Sequence, residues 1–144
     1  MKKQYYVLNG PNLNLLGIRE PEHYGTDTYR DLKKLIKAEA KKLGVSVKIM
    51  QTNHEGKLVD MIHRAHRKGV AGIVINPAAY THTSIALYDA VKSVNVPTVE
   101  VHVSDIHARE DFRRVSYIGL AAKKTISGHG INGYTEALEY LVKG

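Results

Sequence analysis

Short apolar runs rich in β-branched residues alternate along this chain with stretches of helical periodicity. Apolar side chains spaced three and four residues apart mark two helices that end at Gly44 and Gly69, a third that Ser84 can cap, and a fourth near residue 140. Because strands that alternate with helices form parallel sheets covered on both faces, the pattern βαβαβαβαβα predicts an α/β three-layer sandwich. Five strands favour the flavodoxin-like order 2-1-3-4-5. The strands are predicted at residues 5–9, 45–50, 71–76, 97–103 and 123–127.

The composition is typical of one globular domain without disulfides. With 43% hydrophobic and 24% charged residues, residues 1–144 are expected to form a single domain with its own core. The chain contains no cysteine, which excludes thiolate metal ligands and favours a reducing compartment. No apolar run approaches the roughly 18 residues that a membrane span needs, so we expect a cytoplasmic protein without a membrane partner.

The formal net charge of +7 raises the question of nucleic-acid binding. The basic residues are spread over predicted helix faces and mixed with acidic ones, as on an ordinary solvated surface. The chain also lacks the aromatic and basic strand motif of an RNA-binding sheet. We therefore expect no nucleic-acid partner, and the positive charge is equally suited to attracting a small anionic substrate.

Unusual polar residues follow two strands that the predicted order makes neighbours. Strand 1 runs into Asn9-Gly10-Pro11-Asn12, and strand 3 runs into a segment that begins at Asn76 and reaches His82. In this sheet order, the crevice between the carboxyl ends of strands 1 and 3 is the expected ligand site. The sequence thus brings several amide and imidazole side chains to the place where a ligand should bind.

Strand 4 carries polar residues on one of its faces. A central parallel strand is normally apolar on both faces, yet the alternation here puts a Glu-His-Ser stripe at the carboxyl end. The stripe suggests a polar cavity, although a buried and hydrogen-bonded His-Glu pair between helix and sheet would explain it too. The two faces consist of Val99, Val101 and Val103 on one side and Thr98, Glu100, His102 and Ser104 on the other.

Two further motifs have plain structural interpretations. The segment "GHGING" at 128–133 fits Gly-x-Gly-x-x-Gly, but it does not lie in the first βαβ unit and no acidic residue follows about 20 positions later. We interpret its glycines as a tight turn that allows close packing of helix on sheet. His63 and His66 lie one turn apart on a predicted helix, and without an acidic or histidine partner at zinc-site spacing we regard them as surface residues.

A denser group of histidines and carboxylates could in principle hold a divalent ion. Asparagine, serine and arginine residues accompany this group, and they fit an anionic polyol better because arginines repel metals and pair with carboxylates. We therefore expect no metal. The group comprises His82, His102, His107, Glu100 and Asp105.

Four segments resemble the signature segments of type II 3-dehydroquinate dehydratases: "NGPNLNLLGIREPEHYG", "NPAAYTHTS", "VEVHVSDIHAREDFR" and "GHGINGY". The resemblance covers nearly the whole chain, in order and with matching spacing. It implies the reversible anti elimination of water from 3-dehydroquinate to 3-dehydroshikimate through an enolate, the third step of the shikimate pathway to chorismate and the aromatic amino acids. It implies no cofactor and a homododecamer built as a tetramer of trimers.

The resemblance also implies a role for each matching residue. Removing a proton beside a ketone requires a base, a group that stabilises the enolate and an acid for the departing hydroxyl. By motif position these are Tyr24 as base, Arg19 as stabiliser on the same mobile loop and His102 as acid, with Glu100 orienting the imidazole. Asn12 would hold a water or the enolate oxygen. Substrate would bind to Asn76, His82, Val103, Ser104 and Arg113, with Asp89 entering from a neighbouring subunit.

A tyrosine base requires a favourable electrostatic environment. Tyrosine has an ordinary pKa near 10, so forming a phenolate near pH 7 takes about 4 kcal/mol of differential interaction. Arg19 in the loop, and Arg109 or Arg113 after strand 4, are cations that can supply it.

The chain departs from the family pattern at two positions. Ala78 stands where the family usually has glycine after Asn-Pro, and His129 stands where it usually has leucine. Neither change removes a functional group, so we expect an altered rate or stability more than an altered reaction. Two other classes stay open from the sequence: a flavodoxin-like binding module without catalysis, and a basic nucleic-acid binder.

Overall fold

A computed structural model describes residues 2–18 and 21–144 of the chain. The strands are β1 (Gln4–Asn9), β2 (Ser46–Gln51), β3 (Gly72–Asn76), β4 (Thr98–His102) and β5 (Lys124–Ser127). The helices are α1 (Pro21–Tyr24), α2 (Tyr29–Leu43), α3 (Glu55–Lys68), α4 (Ile85–Ser93) and α5 (Asn132–Lys143). Short 3₁₀ turns occur at Leu13–Leu15, Ala78–His82, Ile106–Ala108, Asp111–Arg113 and Ile118–Leu120.

The five strands form one parallel sheet of order β2-β1-β3-β4-β5, which confirms the predicted flavodoxin-like order. Asn9 of β1 pairs with Asn76 of β3, and His102 of β4 pairs with Ser127 of β5. The polar residues that end neighbouring strands therefore lie side by side along one edge of the sheet.

Helices cover both faces of the sheet. Helices α3 and α4 pack together on one face, where Leu58 and Ile62 meet Leu87 above the side chains of β1 and β3. Helices α2 and α5 pack on the other face, where Leu32 and Ile36 lie among the valines of β3 and β4. Strands β3 and β4 are buried along their whole length, as strands covered on both faces should be.

Local signals in the sequence set the helix ends. Gly44 and Gly69 end α2 and α3 with left-handed backbone, a conformation that glycine adopts without a Cβ penalty. The Ser84 hydroxyl accepts a hydrogen bond from the Leu87 N–H at 2.9 Å, which confirms the predicted cap of α4. Thr28 and Asp31 form a capping box at the start of α2.

The predicted alternation is wrong at one crossover. Between β4 and β5 the chain makes three 3₁₀ turns instead of an α-helix, because residues 109–114 place charged residues in succession and offer no apolar stripe to the sheet.

Residues 21–24, which the sequence left without periodicity, form one helical turn. Strand boundaries differ from the prediction by one residue. Every helix in the described ranges is too short or too polar to cross a membrane.

Candidate active site

A cleft opens at the carboxyl edge of the sheet, where β1, β3 and β4 end. Its lining brings together residues that are up to 102 positions apart in the chain, from Pro11 to Arg113. Arg109, which the sequence analysis named as a possible cation near the base, also lines it, and so does Ala78. The lining includes seven of the predicted site residues: Asn12, Asn76, His82, His102, Val103, Ser104 and Arg113.

A buried ion pair lies under the β4 side of the cleft. The Nε2 atom of His102 is 2.5 Å from the Glu100 carboxylate, and Glu100 has no exposed surface. The Ser116 and Thr125 hydroxyls donate to the same carboxylate at 2.6 and 2.7 Å. Burial works against the charged form of Glu100, but the hydrogen bonds and charge of His102, together with the two hydroxyls, hold the pKa of Glu100 below its usual value.

This arrangement orients the imidazole of His102. A carboxylate only accepts hydrogen bonds, so Nε2 carries the hydrogen that points to Glu100. A molecule in the cleft would therefore meet the ring through Nδ1. The buried pair and the polar cleft were alternative interpretations of the β4 stripe, and the structure combines them: Glu100 lies beneath the cleft and His102 lines it.

The His82 side chain is held by the crossover that follows β4. Its Nδ1 lies 2.7 Å from the Val115 carbonyl, which can only accept, so Nδ1 is protonated. Burial lowers the pKa of His82, and the nearby charges of His102 and Arg113 act in the same direction. The neutral ring then has an unprotonated Nε2, which can accept a hydrogen bond from a hydroxyl group.

Asn12 is held by a loop that the sequence did not single out. Its backbone is left-handed, with a φ of 69°, and its N–H donates to the Asn53 Oδ1 at 3.1 Å. Gln51 donates to the same oxygen and to the Gly10 carbonyl. A Cβ on Gly10 would lie 2.5 Å from the Pro77 carbonyl oxygen, so glycine is required where the β1 and β3 loops cross.

Two arginines give the β4 side of the cleft a positive character. Arg109 is buried, and its Nη1 donates to the Ser104 hydroxyl at 3.3 Å. Arg113 is partly exposed and donates from Nε to the Glu110 carboxylate at 2.6 Å. A guanidinium group beside a serine hydroxyl, as at Arg109 and Ser104, suits a carboxylate ligand.

Besides Glu100, which lies beneath the cleft, three predicted site residues are not placed in its lining. Asp89 is exposed on α4. Arg19 lies outside the described residues, and for Tyr24 the structure describes only the backbone, which ends α1. Their predicted roles therefore stay predictions.

Sequence reasoning missed the residues that support the site from below. Ser116 and Thr125 are ordinary hydroxyl residues in the sequence, and only the fold brings them to Glu100. Tyr134 lies on the buried face of α5, and its hydroxyl bonds both Asn9 and Asn76. Its polar hydroxyl was the signal, because a buried tyrosine hydroxyl normally finds a partner.

The two departures from the family pattern lie in different environments. Ala78 lines the cleft with a left-handed backbone, at a φ of 53°, where glycine would be unstrained. His129 lies on the surface, where its Nδ1 is 2.9 Å from the Glu136 carboxylate. The neighbouring glycines confirm the tight-turn interpretation: Gly128 and Gly130 have positive φ, and a Cβ on Gly133 would press on Val101 at 3.3 Å.

A flavodoxin-like sheet with a polar cleft at the β1–β3 switch point defines an α/β protein with the ligand site that is usual for this fold. Residues 3–142 match the model of the family described as dehydroquinase class II. The chain belongs to this family, which confirms the resemblance found in its motifs.

Relatives and solved structures agree with this assignment. The chain is 54% identical over 144 residues to the 3-dehydroquinate dehydratase of Variovorax paradoxus, covering 97% of this chain and 99% of the relative. It is also 54% identical to the enzyme of that name from Caldicellulosiruptor bescii, with 96% of each chain covered. The type II dehydroquinase structure from Butyrivibrio crossotus superposes with a TM-score of 0.95 at 42% identity, with 97% of each chain covered. The one from Propionibacterium acnes gives 0.95 at 43%, covering 100% of this chain and 99% of that chain.

Proposed function

We propose that this protein catalyses the reversible anti elimination of water from 3-dehydroquinate, giving 3-dehydroshikimate in the shikimate pathway. The carrying observation is the Glu100–His102 pair, which places an oriented imidazole on the wall of a cleft lined by amides and guanidinium groups. A simple binding module has no need for such a proton-transfer group. Family membership and full-length similarity to 3-dehydroquinate dehydratases support the same conclusion.

The reaction begins with removal of a proton beside the ketone of the substrate. Tyr24 acts as the base, in the phenolate form, and Arg19 stabilises both the phenolate and the developing enolate. Asn12 holds the enolate oxygen directly or through a water. These three roles rest on the match of the chain to the family's motifs, and the cationic character that Arg109 and Arg113 give the cleft favours a phenolate there.

The second half of the reaction breaks the carbon–oxygen bond. The enolate electrons return to form the conjugated double bond, and the hydroxyl leaves as water after taking a proton from His102. The Glu100 carboxylate, which lies 2.5 Å from Nε2 of His102, orients the imidazole ring and stabilises its protonated form. Anti stereochemistry requires the base and the acid to approach opposite faces of the substrate ring.

The remaining residues of the cleft bind the substrate. Asn76 and His82 form hydrogen bonds with the ring hydroxyls of the substrate. The amide of Asn76 can donate or accept, and the unprotonated Nε2 of His82 can accept. The carboxylate of the substrate binds to the Val103 backbone N–H and the Ser104 hydroxyl, beside the Arg109 guanidinium. Arg113 contacts a further hydroxyl.

The direct test is to mix the purified protein with 3-dehydroquinate and record the absorbance of the conjugated enone product. We expect the absorbance to rise. An unchanged absorbance across a range of pH would contradict the proposal and favour a binding module. Borohydride added with substrate should not inactivate the enzyme, because no lysine imine forms. Covalent trapping of substrate would refute the enolate mechanism.

The role of Tyr24 is tested by Tyr24→Phe, which removes only the hydroxyl. We expect kcat to fall by at least about a hundredfold, the usual range for loss of general base catalysis. His23→Phe, at the neighbouring position of the same helical turn, is the control and should retain activity within about threefold. Near wild-type turnover of Tyr24→Phe would rule out this residue as the base.

We also propose that the protein works in the cytoplasm as a single-domain subunit of a homododecamer, a tetramer of trimers, in which Asp89 reaches a neighbouring cleft. The exposure of Asp89 and of the large apolar side chains Ile85, Phe112 and Leu120 supports such contacts. Light scattering should give about twelve times the 16.0 kDa of one chain, and a monomer would contradict the assembly. Asp89→Ala should raise KM in an assembly of unchanged mass.

A further inference from the structure

A chain of hydrogen bonds crosses the protein beneath the amide side of the cleft. The Asn9 Nδ2 donates to the Met50 carbonyl at 3.2 Å, and the Asn9 Oδ1 accepts from the Tyr134 hydroxyl at 2.7 Å. The Tyr134 oxygen accepts from the Asn76 Nδ2 at 2.9 Å, and the Asn76 Oδ1 accepts from the Ala78 N–H at 3.0 Å. The chain thus links β2, β1, α5 and β3 to the backbone of the cleft wall.

The direction of every bond in this chain is determined by its two ends. At one end the Met50 carbonyl can only accept, so Asn9 must present its Nδ2 there and its Oδ1 to Tyr134. At the other end the Ala78 N–H can only donate, so Asn76 must present its Oδ1 there and its Nδ2 to Tyr134. The tyrosine hydroxyl, which both donates and accepts, fits between two asparagines of opposite orientation.

Burial makes the arrangement rigid. The exposed fractions of Asn9, Tyr134 and Asn76 are 0%, 1% and 3%, so water has little access to replace a missing partner. Burial raises the pKa of Tyr134 well above its ordinary value, so its hydroxyl remains a donor through the working range of pH. An amide flip of Asn76 would break two hydrogen bonds at once.

We propose that Tyr134 and Asn9 are positioning residues that fix the orientation of the Asn76 amide toward the substrate. The two network bonds leave Asn76 with one amide hydrogen and one lone pair of Oδ1 for a ligand. A substrate hydroxyl therefore meets a donor and an acceptor at set positions, and it incurs no cost for ordering the amide. This inference rests on the proposed role of Asn76 in binding the substrate.

The test is Tyr134→Phe, which keeps the buried ring and removes the hydroxyl. We expect KM for 3-dehydroquinate to rise about tenfold while kcat stays within about threefold, because binding is affected and proton transfer is not. Leu138→Ala is the matched control: Leu138 is fully buried one turn further along α5, and its loss should lower the melting temperature without raising KM. An unchanged KM in Tyr134→Phe would overturn the proposal.

A double variant separates positioning from general destabilisation. If Tyr134 acts through Asn76, adding Tyr134→Phe to Asn76→Ala should raise KM by less than about twofold beyond Asn76→Ala alone. Additive effects would mean that the hydroxyl acts elsewhere, and the proposal would fail. If Asn76→Ala itself leaves KM unchanged, the proposed binding role of Asn76 fails.

A measurement without substrate distinguishes failure of the network from failure of the proposed function. In the side-chain amide region of a nitrogen-15 NMR spectrum, Tyr134→Phe should shift the paired NH₂ signals of Asn76 and Asn9, whereas Leu138→Ala should leave them in place. Unshifted signals would overturn the network even in an active enzyme. Absence of turnover by the wild-type protein would refute the proposed function. The NMR comparison would still test the hydrogen-bond network, because it needs no substrate.

Discussion

The two sides of the cleft differ in the kind of polar group on which they rest. The side formed by β1 and β3 is supported by neutral groups, the amides of Asn9 and Asn76 joined by the Tyr134 hydroxyl. The side formed by β4 is supported by an ion pair, in which Glu100 holds His102. We call these the amide side and the ionic side.

The difference indicates a division of labour. Amides and a buried phenol do not change charge between pH 5 and 9, so the amide side can hold ligand groups in constant geometry. An imidazole beside a carboxylate can release and regain a proton, which the elimination requires. The amide side therefore orients the hydroxyls of the substrate, and the ionic side, which also binds the substrate carboxylate, supplies the proton for the departing hydroxyl.

The largest effect is expected from His102→Ala on the ionic side. Loss of the acid should lower kcat at least about a hundredfold, the usual range for general acid catalysis. Steady-state rates with 3-dehydroquinate measure it. His107→Ala is the control, because His107 is exposed on the turn after β4, and it should stay within about twofold. Comparable turnover in the two variants would remove proton transfer from the ionic side.

Glu100→Gln should destabilise the protein because the buried carboxylate accepts hydrogen bonds from His102, Ser116 and Thr125. An amide can accept only on its oxygen, so we expect a loss of about 1–3 kcal/mol in the free energy of unfolding by urea. Glu136→Gln is the matched control: Glu136 also pairs with a histidine, but at the surface, so the change should stay within about 0.5 kcal/mol. Equal losses would mean that burial of the pair is irrelevant.

The pH dependence of stability should come from Glu100 on the ionic side and from His82 in the segment after β3. The folded-state pKa of Glu100 is lowered, so its contribution is present above the ordinary pKa of 4.5 and is lost as pH falls through the folded value. The pKa of His82 is also lowered, so the unfolded chain takes up a proton first as pH falls through 6.5, and stability declines there. Urea titrations of His82→Gln should show a shallower decline between pH 7 and 5. An unchanged slope would contradict this assignment.

The smallest effect is expected on the amide side, from Ala78→Gly. Left-handed backbone costs alanine about 1–2 kcal/mol, a cost that glycine avoids. Part of this stabilisation is lost because glycine has more conformational freedom than alanine in the unfolded chain. The melting temperature should therefore rise by a few degrees at most. A clear fall would show that the alanine methyl stabilises the cleft more than its backbone strains it.

The sequence predicted the residues whose position follows from strand order alone. Asn12, Asn76 and His102 follow or end parallel strands, and such ends meet at one edge of the sheet whatever the side-chain details. It did not predict the supporting contacts. Tyr134 lies 58 residues from Asn76, and Thr125 lies 25 residues from Glu100. The residues around Tyr134 and Thr125 in the sequence give no indication of these hydrogen bonds, because the partners come together only when the chain packs.

The crossover between β4 and β5 shows the same limit. Its 3₁₀ turns place Ser116 under Glu100 and the Val115 carbonyl against His82. No periodic pattern specifies these contacts, because a single hydroxyl and a single backbone carbonyl make them.

The division of labour is tested most directly by comparing His102→Ala with Asn76→Ala in one set of steady-state measurements on 3-dehydroquinate. The two variants should have opposite effects. His102→Ala should lower kcat at least about a hundredfold with KM within about threefold. Asn76→Ala should raise KM about tenfold with a much smaller change in kcat. If both variants changed kcat and KM in the same proportion, the two sides of the cleft would not have separate roles.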